Sequence, residues 1–200
     1  SVSGYTIGMN KTILLSLGGS IIAPDGVDVG FLKKFRAGIL DCVKKGWKFI
    51  IVCGGGKTCR DYQYAACKVT SISKNERDWV GIFATRLNGR LVQAIFEGYV
   101  HHEMLGNPHV KEKIRAPIAI TAGYKPGCST DNDAILLAKV YGIKRVINAS
   151  VIDYVFDRDP KKDKRAQKIE KISWKKFRKI FPAKWEPGIH TPFDPVAARN

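Results

Sequence analysis

Three places in this 200-residue chain combine residue types that can hold an anion. The first is the stretch FIIVCGGGKTCR at 49–60. An apolar run ends in Gly54, Gly55 and Gly56, and two cations follow, Lys57 and Arg60. Its close looks like a P-loop, but that motif needs a glycine five places before the one in Gly-Lys-Thr, and position 51 is Ile51. The second place is Ser16-Leu17-Gly18-Gly19-Ser20, at the end of another apolar run. The third is Gly123-Tyr124-Lys125-Pro126-Gly127-Cys128-Ser129-Thr130. A glycine after a strand lets backbone approach a ligand closely, and the helix that follows offers free N–H groups and a positive dipole end. Three such loops converging on one edge suggest a site for several phosphates. The plainer reading of each is a tight strand-to-helix turn.

These loops need a scaffold, and the apolar pattern supplies one. Strand-like runs cover 12–17, 48–53, 116–121 and 145–149. Helical spacing marks 29–45, stopped by Gly46, then 57–68, 78–98 and 131–141. On 78–98 the apolar residues Val80, Phe83, Leu87, Leu91 and Ile95 form one stripe. Strand and helix alternate without internal repeats. That order predicts an α/β protein, a three-layer αβα sandwich with a mostly parallel central sheet. Ligands of such sheets sit at the carboxyl ends of the strands, where all three glycine loops fall.

Composition narrows the class. The net charge is +16, which favours anionic partners. Much of it lies in the Lys- and Arg-rich stretch 158–184, which reads as a solvated basic helix face. No basic strand interleaved with aromatics and no helix-turn-helix pattern is visible, which argues against a nucleic-acid partner. Apolar runs are too short to span a bilayer, so no membrane partner is expected. The N-terminal SVSGYTIG lacks the charge and cleavage pattern of a signal peptide. Five cysteines without a C-x-x-C pair, and four histidines in no ligand spacing, predict reduced thiols, no protein-bound zinc and a cytoplasmic location. Residues 1–9 read as a tag remnant or flexible N-terminus, and 10–200 as a single domain.

Six segments taken in order carry a resemblance: ILLSLGGS at 13–20, VCGGGKTCRDY at 52–62, DWVGIFATRLNGRLV at 78–92, GYKPGCSTD at 123–131, IDYVFDRDP at 152–160 and PFDPVAAR at 192–199. Together they resemble the uridylate (UMP) kinases of the amino acid kinase superfamily, nearer the archaeal type. The resemblance implies an amino acid kinase-like fold and transfer of the γ-phosphoryl group of ATP to UMP, with Mg²⁺ bound with ATP, in pyrimidine biosynthesis. It implies a homo-oligomer, a hexamer, with the long helix region as an interface. ATP would be held by Ser16, Leu17, Gly18, Gly19, Ser20, Gly56 and Arg60, and its adenosine by Ser150, Val151, Phe156 and Asp159. UMP would be held by Gly55, by Asp78 at the ribose hydroxyls, and by the loop from Gly123 through Tyr124, Lys125, Pro126, Gly127, Cys128 and Ser129 to Thr130. Arg60, Lys57, Asp131 and Asp194 would be the catalytic set, the carboxylates holding Mg²⁺ or orienting cations.

Each assignment has a structural rival. Asp78, Asp131 and Asp194 could each be a helix N-cap, the last with Pro195 at the first helical position. Phe156 could be plain core. Departures from the family pattern matter as well. Ser16 stands where bacterial members carry a lysine, Val151 where the family usually has asparagine, and Tyr154 where it often has glycine. The family's last strand–helix–strand segment reads as missing after Arg199. The alternative functions are a superfamily phosphotransferase acting on a carboxylate, carbamate or isoprenoid phosphate, and a catalytically weakened nucleotide- or nucleic-acid-binding protein.

Overall fold

The computed structural model describes residues 11–152, 154–158, 163–180, 194 and 196–199. Along the chain run β1 (Thr12–Leu17), α1 (Gly19–Ile22), α2 (Val29–Lys44), β2 (Lys48–Cys53), α3 (Gly56–Val69), α4 (Lys74–Ile95), β3 (Ile118–Thr121), α5 (Thr130–Tyr141) and β4 (Val146–Ala149). A short hairpin, β5 (Val155–Phe156) with β6 (Lys168–Ile169), and a helix, α6 (Trp174–Ile180), follow. The strands of the main sheet are parallel in the order β3-β2-β1-β4. Leu17 pairs with both Cys53 and Ala149, so β1, β2 and β4 end level and deliver their loops to one edge.

Strand alternation builds the layers. Leu15, Leu17, Phe49, Ile51, Cys53, Ile118 and Ile120 pack on one face against Leu32 and Ile39 of α2 and Val92 of α4. Leu14, Ile50, Val52 and Ala119 pack on the other against Ala134, Leu137 and Tyr141 of α5. A sheet covered on both faces needs continuous apolar strands, which is why ILLSL and FIIVC lack polar alternation. Leu14, Leu17, Ile50 and Ile51 are 0–1% exposed. Each such side chain contributes about 1.5–3 kcal/mol of transfer free energy. The three-layer parallel sandwich expected from the sequence is the fold observed.

Three expectations need correction. The long helix starts at Lys74 and not at 78, because the Ser73 side chain caps it through the Glu76 N–H at 3.1 Å. Asp78 is therefore inside α4 and caps nothing. The stripe through Phe83 and Leu87 is not the buried face, since these residues are 63% and 62% exposed. α4 turns its small and polar side inward instead: Gly81, Ala84, Thr85, Asn88 and Gly89. A flat face lets the helix approach the glycine loops, which bulky side chains would prevent. Finally, the basic stretch is not one helix face. Its described part runs through β6 and α6, with Arg158 and Arg165 both paired to Asp163. Among the described residues no helix is long and apolar enough to cross a membrane.

Candidate active site

The loops after β1 and β2 cross in direct backbone contact. The Gly54 N–H donates to the Leu17 carbonyl at 2.9 Å. A Cβ on Gly19 would lie 2.2 Å from the Gly56 nitrogen, and one on Gly56 would lie 2.2 Å from the Gly19 carbonyl carbon. Gly56 also has φ +60, in the left-handed region. Asn88, buried on the inner face of α4, pins the crossing by donating its amide to the Gly54 and Gly55 carbonyls at 2.8 and 3.3 Å. α3 springs from this crossing, so its first-turn N–H groups, which no helical carbonyl can satisfy, open at the sheet edge.

The third loop is tied along its length. The Gly123 N–H donates to Thr85 Oγ1 at 2.9 Å and the Tyr124 N–H to Asp133 Oδ2 at 3.1 Å. Farther on, the Gly127 N–H donates to Asp78 Oδ2 at 3.0 Å. Ser129 then caps α5 through the Asn132 N–H at 3.2 Å. Asp131 is therefore not the N-cap but lies in the first turn, where its charge favours the helix. Between this loop, α3 and α4 lies a cavity of about 270 Å³. Its walls are Gly55 and Cys59, then Gln63, Asp78, Gly81, Ile82 and Thr85, then Gly123, Lys125 and 127–130, with Asn132, Asp194 and Val196 at the end.

Beside this cavity sits a carboxylate pair. The Ser16 hydroxyl donates to Asp131 Oδ1 at 2.9 Å, and the Asp194 N–H donates to Asp131 Oδ2 at 3.3 Å. Burial pushes the Asp131 pKa up; the Ser16 and Asp194 hydrogen bonds offset part of this, and the Asp194 charge adds to it. Asp194 is 6% exposed. Its Oδ1 accepts from the Val196 and Ala197 N–H groups at 2.7 and 2.8 Å, so it does cap the turn that follows. Asp133, 1% exposed, has burial as the main cause of a pKa raised to about 6, against the Tyr124 N–H, the Cys128 thiol, His109 and Lys125.

The loops after β2 and β3 line this cavity, and the β1 loop crosses the β2 loop beside it. The model of the amino acid kinase family matches residues 11–199. The chain belongs to the amino acid kinase family. Among its relatives is a uridylate kinase from Methanosarcina mazei, 35% identical over 190 residues, 94% of this chain and 80% of that protein. A uridylate kinase from Thermoplasma acidophilum is 30% identical over 175 residues, 84% of this chain and 72% of that one. The crystal structure of uridylate kinase from Archaeoglobus fulgidus superposes with a TM-score of 0.79 at 28% identity, covering 94% of this chain and 84% of that one.

Gly55, Asp78, Gly123, Lys125, Gly127, Cys128, Ser129, Thr130 and Asp194 all line the one cavity. Tyr124 and Pro126 do not; the Tyr124 ring turns to His109, 6.2 Å away. Gly18, Gly19, Ser20 and Gly56 form the crossed loops. Leu17 is fully buried, so only its backbone faces that edge. Ser150 and Val151 follow β4, where Val151 is 67% exposed, and Phe156 pairs with Lys168 in the hairpin. Asp159 lies outside the described residues. The Lys57 ammonium is held by Asp61 at 2.8 Å and Asp25 at 3.9 Å on the surface. The Arg60 side chain, exposed and one turn into α3, makes no hydrogen bond or ion pair among the described residues.

Sequence reasoning missed Thr85, Asn88, Gln63, Cys59 and Asp133. The signal for two of them was present in GIFATRLNGRLV, where Gly81, Thr85, Asn88 and Gly89 recur at helical spacing. A small, polar stripe on a buried helix marks close backbone approach. A larger groove of about 1270 Å³ lies along β4, α5 and α6, but none of the glycine loops lines it.

Proposed function

We propose that this protein is a UMP kinase, transferring the γ-phosphoryl group of ATP to UMP to give UDP and ADP in cytoplasmic pyrimidine nucleotide supply. One observation carries the reading. A nucleotide-sized acceptor cavity, with the Asp78 carboxylate on its wall, abuts the crossed glycine loops. The crossing would give two phosphate groups adjacent places, ATP at 16–20 and 56, UMP at Gly55 and the 123–130 loop. Asp78 would accept the ribose hydroxyls while keeping the Gly127 N–H.

The acceptor is already an anion, so no strong general base is needed. Catalysis is positioning and charge neutralisation. The first-turn N–H groups of α3 and α5 would cradle the phosphates. Arg60, four residues past Gly56, can swing back along α3 to grip oxygens of the moving phosphoryl group with its planar fork. Ser16, which stands where bacterial members carry a lysine, cannot neutralise charge; it donates to Asp131 instead. Lys57 would have to leave Asp61 to serve, so Arg60 is the better cation.

Asp131, which accepts the Asp194 N–H, and Asp194 each offer hard carboxylate oxygens, a donor type that suits Mg²⁺ held mainly by nucleotide phosphates. Among the described residues no cluster of three or more His, Cys, Asp or Glu could hold a metal alone. When bound, Mg²⁺ would neutralise the β- and γ-phosphate oxygens. The exposed Phe83 and Leu87 of α4 support self-association through that helix. The site reading is tested by calorimetric titration of UMP and CMP separately. UMP should bind and CMP should bind at least about tenfold more weakly, since the cavity presents fixed hydrogen-bonding groups. Equal affinities would refute uracil recognition.

A further inference from the structure

The first turn of α5 sends three side chains three ways. Asp131 meets Ser16 and Asp194 beside the crossed loops. Asn132 donates to Cys128 Sγ at 3.2 Å. Asp133 lies beneath the 123–128 loop, 1% exposed. Its Oδ2 accepts the Tyr124 N–H at 3.1 Å. Its Oδ1 has no hydrogen-bond partner among the described residues.

A buried carboxylate with one unpaired oxygen is costly. Helix formation does not demand it. Ser129 already caps α5, Asp131 already supplies first-turn charge, and an acid favours a helix start equally well from the surface. What Asp133 adds is a grip on the start of 124–128, the segment that carries Lys125, Gly127 and Cys128 to the cavity wall. Asp78 holds the same segment from α4. The loop is thus strung between two carboxylates, one facing the cavity and one behind it. Lys125 and His109 are the charged or titratable groups that face Asp133 besides Cys128.

We propose that Asp133 is a positioning residue for the acceptor: by fixing Tyr124 it sets the distance of the 123–128 loop from Asp78, and hence acceptor affinity without donor affinity. This rests on the UMP kinase reading. Steady-state kinetics of the full chain, varying UMP at saturating ATP and the reverse, test it. Asp133→Ala should raise the KM for UMP about tenfold or more, the loss of a charged hydrogen bond to the loop, while the KM for ATP moves less than about twofold. Asp133→Asn should bring the KM for UMP back to within about threefold of the parent, because an amide oxygen still accepts from Tyr124. A folded Asp133→Ala protein with an unchanged KM for UMP, or with both KM values raised alike, would overturn the proposal. Should Asp133→Ala fail to fold, amide exchange of the parent decides. The Tyr124 N–H should be strongly protected before UMP is added; exchange at the rate of an open loop amide would overturn the proposal. If the parent protein phosphorylates a different acceptor, the functional reading falls, and the same variants run on that acceptor still test Asp133.

Discussion

Gly19→Ala should separate the crossed loops. The added methyl would sit 2.2 Å from the Gly56 nitrogen, 2.4 Å from the Gly55 carbonyl carbon and 2.5 Å from the Gly54 oxygen. Favourable contact starts near about 3.5 Å, so the backbones must part by about 1 Å. All three atoms are main chain, so no side chain can rotate aside. Behind them stand Leu17 and Cys53, both fully buried. Overpacking of a tight core costs about 1–3 kcal/mol, and this site belongs at the upper end. At about 2–4 °C per kcal/mol for a domain of this size, Tm should fall by about 6–12 °C. The KM for ATP should rise more than that for UMP if 16–20 is the donor loop, as proposed. Gly38→Ala is the control. It lies exposed inside α2 with nothing within 4 Å of its new methyl, so alanine should stabilise by about 0.5–1 kcal/mol. Thermal and urea melts of both variants, with kinetics, read the outcome. A Gly19→Ala protein that melts with the parent and keeps its KM for ATP would refute the close-crossing argument.

Arg60→Ala should lower kcat by a factor of about 10²–10³, as for loss of one preorganised charge, with Tm unchanged since the side chain is exposed; Arg60→Lys should recover only part, and a melt that drops with normal turnover per folded molecule would make Arg60 structural. Asp78→Asn should weaken UMP binding by about 1.5–3 kcal/mol and leave ATP binding alone; because an amide oxygen can still take the Gly127 N–H, an unchanged UMP affinity would mean that Asp78 serves only the loop. Asp133 should make stability depend on pH. Its folded pKa of about 6 lies above the ordinary 3.8, so the folded protein binds the extra proton, and its stabilising effect is complete below about pH 4 and lost as pH rises through about 6. The difference is about 3 kcal/mol. Asp133→Asn, which cannot ionise, should therefore gain on the parent across that interval in urea melts, and a constant offset from pH 4 to 7 would contradict the buried-carboxylate account.

The fold was legible because strands buried on both faces are written as unbroken apolar runs, and ILLSL and FIIVC are short, bounded by glycine and followed by helical spacing. The three loops at one edge followed from that order. The α4 face was not legible from apolar periodicity. Phe83 and Leu87 mark a stripe that faces outward, while the inward face is chosen by the need to touch backbone, which only Gly81, Ala84, Thr85, Asn88 and Gly89 permit. Helix starts were misjudged for a related reason. Ser73 and Ser129 are the caps, five and two residues ahead of the expected starts at 78 and 131, and acidic residues just inside the helices mimic cap residues there. Asp133 was invisible because an acid in a first helical turn ordinarily looks outward. Only the folded loop shows that it faces Tyr124.

The most direct test is ADP release by the purified protein with MgATP, measured against UMP, CMP, carbamate and acetylglutamate as acceptors. The account predicts turnover with UMP, little with CMP and none with the other two, with UDP recovered in equal amount to ADP. Turnover with carbamate or acetylglutamate and none with UMP, or no transfer to any acceptor, would contradict it.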